Sequence, residues 1–182
     1  MKMFIQAVAS FEKAKAILEN IGEASMGEEI ADASNMIGKC FHQKGKYSDG
    51  LKHFMEAALR WQYASKNESK DNDLAVFYQN LDRCFFEMKN FNEAVASFEK
   101  SKTLLENIGE ASMGEKIAAA SNMIGKCFYE QGEYSDALKH LLHAVSALKH
   151  VKKQRSTDRK MAWYCFRVAK NFFQMKMFKE AV

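Results

Sequence analysis

Four segments of the chain carry similar polar, basic and aromatic side chains at helical spacing. Residues three, four and seven apart lie on one face of an α-helix, so each set is expected to form a short line. Carboxamides both donate to and accept from a peptide backbone, Lys and Arg attract acidic groups, and aromatic rings add apolar contact area. Side by side, the sets would suit an extended, acidic-leaning peptide. They are Asn35, Lys39 and His42; Gln79, Arg83 and Phe86; Asn122, Lys126 and Tyr129; and Phe166, Lys170 and Phe173.

These sets also have a plainer structural interpretation. Lys39, Lys126 and Lys170 would then be solvated positions on exposed helix faces, and the phenylalanines would belong to the core. The sequence leaves both interpretations open.

A long internal repeat decides which elements carry these sets. Residues 7–53 recur as residues 94–140 with 37 of 47 positions identical, at an offset of 87. The offset returns in three short segments, MKMFIQAV at 1–8, MKNFNEAV at 88–95 and MKMFKEAV at 175–182. We therefore predict one domain over residues 1–182, built of two 87-residue double repeats, 1–87 and 88–174, and the start of a third.

Each 87-residue unit divides again into two helix pairs. The segments 37–57, 81–101 and 124–144 align without gaps, and 168–182 is a partial fourth copy. The pattern resembles the tetratricopeptide repeat (TPR), in which small residues lie where two helices touch and aromatic rings fill the gaps. The matching residues are Gly38, Gly125, Phe41, Phe85, Phe128 and Phe172 on the first helices, and Tyr47, Phe91, Tyr134, Phe178, Ala94, Ala137, Ala181, Ala57 and Ala144 on the second helices.

The resemblance covers essentially the whole chain, with departures. The period is 43 to 44 residues instead of about 34, the closing proline is missing, and Asp82 and Gly50 replace expected small or alanine residues. The longer period implies extended helices, similar to the kinesin light chain type of array. The predicted fold is all-α, a right-handed α-α superhelix of about eight antiparallel helices, at roughly 4–21, 27–43, 47–66, 71–88, 91–108, 114–131, 134–153 and 157–175.

Local signals in the sequence agree with these helices. Gly45 and Gly132 interrupt the helices within a pair, and Gly22 and Gly109 stand where a glycine commonly ends a helix. A single helix pair cannot bury its apolar stripe alone, so stability depends on stacked neighbours. The sequence begins with a second helix and stops as another starts. We expect a fragment of a longer array in preference to ends that stack on other chains.

In the family that the chain resembles, the first helices line the concave face, where extended peptides bind. The resemblance thus assigns the four sets to that face. Members that bind chaperone tails use Lys followed by Asn four residues later, whereas here Asn35 precedes Lys39 and Asn122 precedes Lys126. Recognition of a chaperone tail is therefore not predicted.

The sequence contains no pattern that predicts a metal site, a cofactor site or a catalytic site. Cys40, Cys84 and Cys127 occupy one small-residue position in successive repeats, so we expect packing residues too far apart to share a metal or form a disulfide. His140 and His143 share a helical face without a third ligand. Without a phosphate loop, a nucleophile motif or paired carboxylates, we expect neither an enzyme nor a cofactor.

The composition favours a cytoplasmic protein. The chain has no proline, no apolar run approaching the ~18 residues of a membrane span, and no secretory signal at its start. The net charge of +4 leans weakly toward acidic partners and is far from that of a dedicated nucleic-acid binder.

One segment is strongly basic, KHVKKQRSTDRK at Lys149–Lys160. It is either a solvated turn or a docking patch for an acidic surface, nucleic acid or lipid headgroups. The leading prediction is a protein-interaction scaffold that binds an acidic-leaning partner peptide. The alternatives are an architectural component of a cytoskeletal or ciliary assembly through end-to-end stacking, and RNA binding by a helical-repeat surface.

Overall fold

The computed structural model describes residues 2–22, 26–64, 71–109, 113–149, 151 and 155–181. These residues form eight α-helices and contain no β-strand, which confirms the predicted all-α class. The helices are α1 (Lys2–Ile21), α2 (Gly27–Gln43), α3 (Tyr47–Ala64), α4 (Asp71–Glu87), α5 (Phe91–Ile108), α6 (Gly114–Glu130), α7 (Tyr134–Lys149) and α8 (Arg155–Ala181). The even-numbered helices are the first helices of the predicted pairs.

Two of the turns within helix pairs depend on glycine. Gly45 and Gly132 have φ angles of 70° and 82°, in the left-handed region that glycine adopts without steric cost. Around Gly45, the backbone N–H groups of Gly45 and Lys46 donate to the carbonyls of His42 and Phe41, both at 3.0 Å. These bonds satisfy carbonyls that the end of α2 would otherwise leave open.

The turn after α4 uses a lysine at the same position. Lys89 has a φ of 61°, and its N–H donates to the carbonyl of Phe86 at 2.9 Å. A non-glycine residue in this conformation costs about 1–2 kcal/mol. The turn after α4 therefore forms although its left-handed position is occupied by Lys89 and not by glycine.

The predicted end of the last helix near residue 175 is wrong, because α8 continues to Ala181. Lys176 stands where Gly45 and Gly132 stand in the other copies. Without glycine, the left-handed turn is costly. At Lys89 the helix that follows, α5, packs on α6, whereas the described residues contain no helix after α8 whose packing could offset that cost. The helix therefore runs through the position at which a turn and a new helix at Phe178 were expected.

The chain divides into two compact units, Met1–Asn90 and Phe91–Val182, which are described separately. In the first unit, α1 packs on α2, α2 on α3, and α3 on α4. Phe54, Leu81 and Cys84 form a buried cluster between α3 and α4. A Cβ placed on Gly38 would lie only 2.7 Å from the Phe54 ring, so the small residue is required where α2 meets α3.

The second unit repeats this order with α5, α6, α7 and α8. Ala118, Ala144, Leu148 and Tyr164 form its buried cluster. A Cβ on Gly125 would lie 3.0 Å from the carbonyl oxygen of Ala137, which again brings the two helices of a pair into close contact. The predicted role of small residues at the helix crossings is thus visible in both units.

The cysteines differ in environment. Cys84 and Cys127 are buried, Cys40 is half-buried, Cys165 is exposed, and all four are free thiols. No helix of the described residues is both long and apolar enough to cross a bilayer.

Candidate binding clefts

A cleft of about 230 Å³ lies between the two first helices of the first unit. We call it the unit 1 cleft. Its cations are Lys39 from α2 and Arg83 from α4, two members of the predicted sets. The residues that line the cleft are Lys39, His42, Gln43, Phe54, Asn80 and Arg83.

The second unit has a corresponding cleft of about 260 Å³ between α6 and α8, the unit 2 cleft. Four of its lining residues, two from α6 and two from α8, belong to the predicted sets: Lys126, Tyr129, Phe166 and Lys170. The residues that line it are Lys126, Tyr129, Glu130, Leu141, Trp163, Phe166, Arg167 and Lys170. Phe166 is 68% exposed, so it is not the core residue that the plainer interpretation expected.

The two clefts occupy the same place in the repeat. Each of the six residues in the unit 1 cleft has its counterpart, 87 residues later, in the unit 2 cleft. Both clefts keep one lysine from the earlier first helix and a cation at one equivalent position of the later one, Arg83 or Lys170; the unit 2 cleft also has Arg167 and the carboxylate of Glu130. At least two cations therefore line the cleft in each unit, one from each first helix.

The predicted asparagines lie beside the clefts, not on their surface. Asn35 and Asn122 are 5% and 4% exposed. The Nδ2 of Asn80 donates to Oδ1 of Asn35 at 2.9 Å, and a guanidinium nitrogen of Arg167 donates to Oδ1 of Asn122 at 2.9 Å. The predicted amides thus hold a side chain of the next first helix in position.

Sequence reasoning missed Asn80 and Arg167. Both stand three residues before a predicted cation, Arg83 or Lys170, and so share its helix face. That spacing was a usable signal. The equivalence of the two positions was hard to recognise because the amide of Asn80 in the first unit is replaced by the guanidinium of Arg167 in the second.

Aromatic rings hold the cations of the unit 2 cleft. The Arg167 guanidinium lies 5.0 Å from the centre of the Trp163 ring, and Nζ of Lys170 lies 5.1 Å from that of Tyr129. Cations over ring faces at these distances are attracted by the ring quadrupole. Burial lowers the pKa of Arg167, while the nearby Glu130 raises it; a guanidinium remains charged in either case.

A titratable ring lies in the unit 1 cleft at the position of Tyr129. His42 packs edge-on against Tyr47 with ring centres 5.2 Å apart, as Tyr129 does against Tyr134 at 5.4 Å. Burial lowers the pKa of His42, Arg83 lowers it further, and Glu87 raises it. The unit 1 cleft is therefore lined by a neutral ring near neutral pH.

The remaining predicted residues do not line these clefts. Gln79 and Phe86 are half-buried on α4, and Phe173 is 61% exposed on α8. Their assignment to a peptide-binding surface stays a prediction.

The two histidines considered as metal ligands have other contacts. The His140 ring stacks on Phe128 with centres 5.4 Å apart, and Nδ1 of His143 lies 2.8 Å from Oγ of Ser121. Among the residues that the structure describes, no group of three or more His, Cys, Asp or Glu side chains is placed to hold a metal ion.

The basic segment Lys149–Lys160 lies partly outside the described residues, which omit 150 and 152–154. Its described end forms the start of α8. Nζ of Lys160 lies 2.6 Å from Oε2 of Glu115, and the Thr157 hydroxyl donates to the other carboxylate oxygen, Oε1, at 3.0 Å. These contacts lower the pKa of Glu115. Lys160, one cation of the basic segment, is thus paired with a carboxylate of the protein itself.

No protein-family model and no curated protein matches the chain. Several solved structures are similar to it in fold. The nearly identical TPR-like repeats of a candidate kinesin light chain from Podosopora anserina have a TM-score of 0.69 at 11% identity, covering 97% of this chain and 87% of that chain. BtubC (BKLC) from P. vanneervenii has a TM-score of 0.69 at 13% identity over 94% of this chain, which spans 66%, just under two thirds, of that chain.

A shorter match is the N-terminal domain of stress-induced protein-1 (STI-1) from C. elegans. Its TM-score is 0.55 at 19% identity, covering 76% of this chain and 96% of that domain. At these identities the likeness concerns the fold alone. The chain has the all-α fold of TPR-like solenoid proteins, as its repeat pattern predicted.

Proposed function

We propose that the chain is a protein-interaction scaffold whose clefts bind an extended, acidic partner peptide. The observation that carries the proposal is the convergence of two cations at the same cleft in both units: Lys39 with Arg83, and Lys126 with Lys170. Two positive charges that line one cleft attract a negatively charged group such as a carboxylate.

The surroundings of the cations support the same ligand. Arginine recognises a carboxylate through two parallel N–H donors, and lysine attracts it as a point charge. Phe166, Trp163 and Tyr129 add apolar area beside the cations of the unit 2 cleft. Such a mixture suits a peptide whose acidic side chains alternate with apolar ones.

Charge reversal within each cleft tests the proposal. The probe is a fluorescein-labelled twelve-residue peptide of alternating Glu and Ala, with binding followed by fluorescence anisotropy. We expect Lys39→Glu with Arg83→Glu, and Lys126→Glu with Lys170→Glu, each to weaken binding by about 2 kcal/mol or more, since each introduces repulsion at a charged contact. Raising the salt concentration should weaken wild-type binding as well.

The repeat supplies a matched control. Lys52 and Lys139 are equivalent lysines on the second helices α3 and α7, with side chains 77% and 72% exposed, and they do not line either cleft. Lys52→Glu with Lys139→Glu changes the net charge by the same amount as one cleft variant. Equal loss of binding in this control would show attraction by the overall charge and would contradict the cleft proposal.

We propose end-to-end self-association as a second function of an architectural kind. It is favoured by large apolar side chains that face solvent on α1 and α8. On α1, Ile17 and Ile21 are 52% and 51% exposed, and on α8, Phe172 is 52% exposed. Contiguous exposed apolar surface is typical of interaction sites.

Sedimentation over a wide concentration range tests self-association. We expect the weight-average mass to rise with concentration and to fall again on dilution. A mass that stays at that of a single chain throughout would contradict this second function without affecting peptide binding in the clefts.

A further inference from the structure

The two clefts differ in the apolar surface beside their cations. Phe54 is the one apolar side chain among the described residues that line the unit 1 cleft, and at 1% exposed it offers almost no area to a ligand. In the unit 2 cleft, Trp163 is 51% exposed and lines the same cleft as Lys126 and Lys170. An apolar side chain of a ligand therefore finds a large contact beside the cations of the unit 2 cleft and none of comparable area in the unit 1 cleft.

The exposure of Trp163 follows from its place in the repeat. The same position is occupied by Ala119 on α6 and by Asp32 on α2, 44 and 131 residues earlier. Both of these residues are exposed. Helix α6 packs on α5 and α7 and also contacts α8, so this position faces away from neighbouring helices even where they lie on both sides. The exposure of Trp163 therefore does not depend on α8 being the last described helix.

Contacts within the second unit hold the Trp163 side chain in place. The Arg167 guanidinium lies 5.0 Å from the centre of the Trp163 ring and donates to Oδ1 of Asn122 at 2.9 Å. The Trp163 ring also packs at a tilt against the buried Tyr164, with ring centres 5.4 Å apart. A side chain that its neighbours already hold loses little conformational entropy when a ligand packs on it. Trp163 is thus a preformed contact surface.

Helical spacing fixes the distance between this ring and the cation on the same helix. Trp163 and Lys170 are seven residues apart. They lie on one face of α8 with a separation of about 10 Å along its axis. An extended peptide advances about 3.3 Å per residue and turns every second side chain to the same side. For a peptide that runs along α8, the residues at Lys170 and at Trp163 are therefore about two to four positions apart.

We propose that Trp163 makes the unit 2 cleft specific for an acidic residue with an aromatic residue close to it in sequence, whereas the unit 1 cleft binds acidic residues without that requirement. The inference rests on the proposed peptide binding and specifies its ligand. An aromatic side chain gains buried area and an offset or edge-on contact with the indole ring. The first unit has Val76 at the equivalent position, which is half-buried and does not line the unit 1 cleft.

Paired peptides on chains with one intact cleft test this specificity. The first probe is the labelled Glu and Ala peptide, and the second has Phe in place of its two central Ala residues. Lys39→Glu with Arg83→Glu leaves the unit 2 cleft intact, and Lys126→Glu with Lys170→Glu leaves the unit 1 cleft intact. The readout is the ratio of the two dissociation constants. We expect the Phe peptide to bind about fivefold more tightly than the Ala peptide to the unit 2 cleft, and less than about twofold more tightly to the unit 1 cleft.

Substitution of the ring tests whether Trp163 causes the preference. In the chain with the intact unit 2 cleft, Trp163→Val introduces the residue found at position 76 and should lower the ratio to that of the unit 1 cleft. Trp163→Phe keeps an aromatic ring and should retain part of the preference. Tyr63→Val is the matched control, because Tyr63 is 84% exposed on α3, lines neither cleft and should not affect the ratio. Circular dichroism checks that the helices of each variant are intact.

A neutral peptide tests whether charge and ring act together. It has Gln in place of every Glu and keeps the two Phe residues. We expect it to bind the chain with the intact unit 2 cleft at least ~10-fold more weakly than the charged Phe peptide, because it offers no carboxylate to the cations. Equal binding of the two peptides would show that Trp163 belongs to a general apolar surface and would overturn the inference.

The outcomes separate the inference from the function on which it rests. If the wild-type chain binds neither charged peptide, the proposed peptide binding is wrong and the specificity falls with it. If both charged peptides bind but their ratio is the same for the two clefts, or persists in Trp163→Val, peptide binding stands and the specificity assigned to Trp163 is wrong.

Discussion

Arg167 of α8 donates a hydrogen bond to the buried Oδ1 of Asn122 on α6, at 2.9 Å. Asn80 makes the same bond to Asn35 in the first unit. A guanidinium in one unit and an amide in the other thus join the two first helices at the same point. The bond fixes the later first helix of each unit, α4 or α8, relative to the earlier one, α2 or α6, on the opposite side of the cleft.

Removing this donor should lower stability in a way that the repeat itself can restore. We expect Arg167→Ala to reduce the free energy of unfolding by about 1–3 kcal/mol, because the buried Asn122 oxygen loses its donor. Arg167→Asn introduces the side chain found at position 80 and should cost less than Arg167→Ala. Urea denaturation of the three proteins measures the difference; equal costs for the two variants would argue against the bond as a stabilising contact.

Two glycine substitutions should destabilise the first unit for different physical reasons. Gly38→Ala places a Cβ 2.7 Å from the Phe54 ring, and we expect a loss of about 1–3 kcal/mol from overpacking. Gly22→Ala meets no atom within 4 Å but requires a φ of 71°, and we expect a loss of about 1 kcal/mol.

The companion change Phe54→Leu distinguishes these causes in thermal or urea unfolding. A smaller ring-free side chain should recover part of the loss in Gly38→Ala and none of the loss in Gly22→Ala. The same response in both backgrounds would contradict a steric origin at Gly38.

Stability should fall as the pH drops through the range in which histidine titrates. His53 and His140 stack on Phe41 and Phe128, each with ring centres 5.4 Å apart. Burial lowers the pKa of both rings; Lys15 lowers that of His53 further, while Glu99 raises that of His140. Below about pH 6.5 the unfolded chain therefore binds protons that the folded chain does not yet accept.

The measurement is the urea midpoint at pH 7.5 and at pH 5.5. We expect a lower midpoint at pH 5.5, and a smaller difference between the two pH values in the double variant His53→Gln with His140→Gln. Some difference should remain, since the pKa of His42 is also lowered. An unchanged difference in the double variant would show that other groups cause the pH dependence.

The cysteines should differ widely in reactivity. Burial raises the pKa of the Cys84 thiol to about 12, with the carboxylates of Glu87 and Asp82 acting in the same direction. At pH 8 its thiolate fraction is roughly a thousandfold below that of an ordinary thiol. In dilute solution, iodoacetamide should label the exposed Cys165 first and leave Cys84 unmodified until urea unfolds the chain.

Peptide mapping by mass spectrometry reports the order of labelling. Cys127 is buried and should also be protected, whereas the half-buried Cys40 should react at an intermediate rate. Early labelling of Cys84 in the folded chain would contradict the close packing of α3 on α4.

The helices could be predicted from the sequence because several local signals agree. Gly45 and Gly132 mark turns through their permitted conformation, and the 3.6-residue period marks the buried faces. The turn at Lys89 was found only because the repeat aligned it with those glycines. The same alignment misled at Lys176, where the described residues contain no following helix to offset the cost of the turn and α8 continues.

The clefts could be predicted only in part. The cations were found because residues of one type recur on one helix face. The buried position of Asn35 and Asn122 was not found, because helical spacing does not say how deeply a face is covered by its neighbours. Asn80 and Arg167 were missed because their chemical types differ between units while their positions agree.

The two first helices that form each cleft differ greatly in how well they agree between the units. Helices α2 and α6 are identical at 13 of 17 positions, whereas α4 and α8, compared over 71–87 and 158–174, are identical at only 4 of 17. In each cleft, a helix that is nearly the same in both units and carries Lys39 or Lys126 thus faces a helix that differs between them and carries Asn80 or Arg167. Duplication of such a unit allows the copy to acquire a new ligand preference through one helix, while the other preserves the packing on which folding depends.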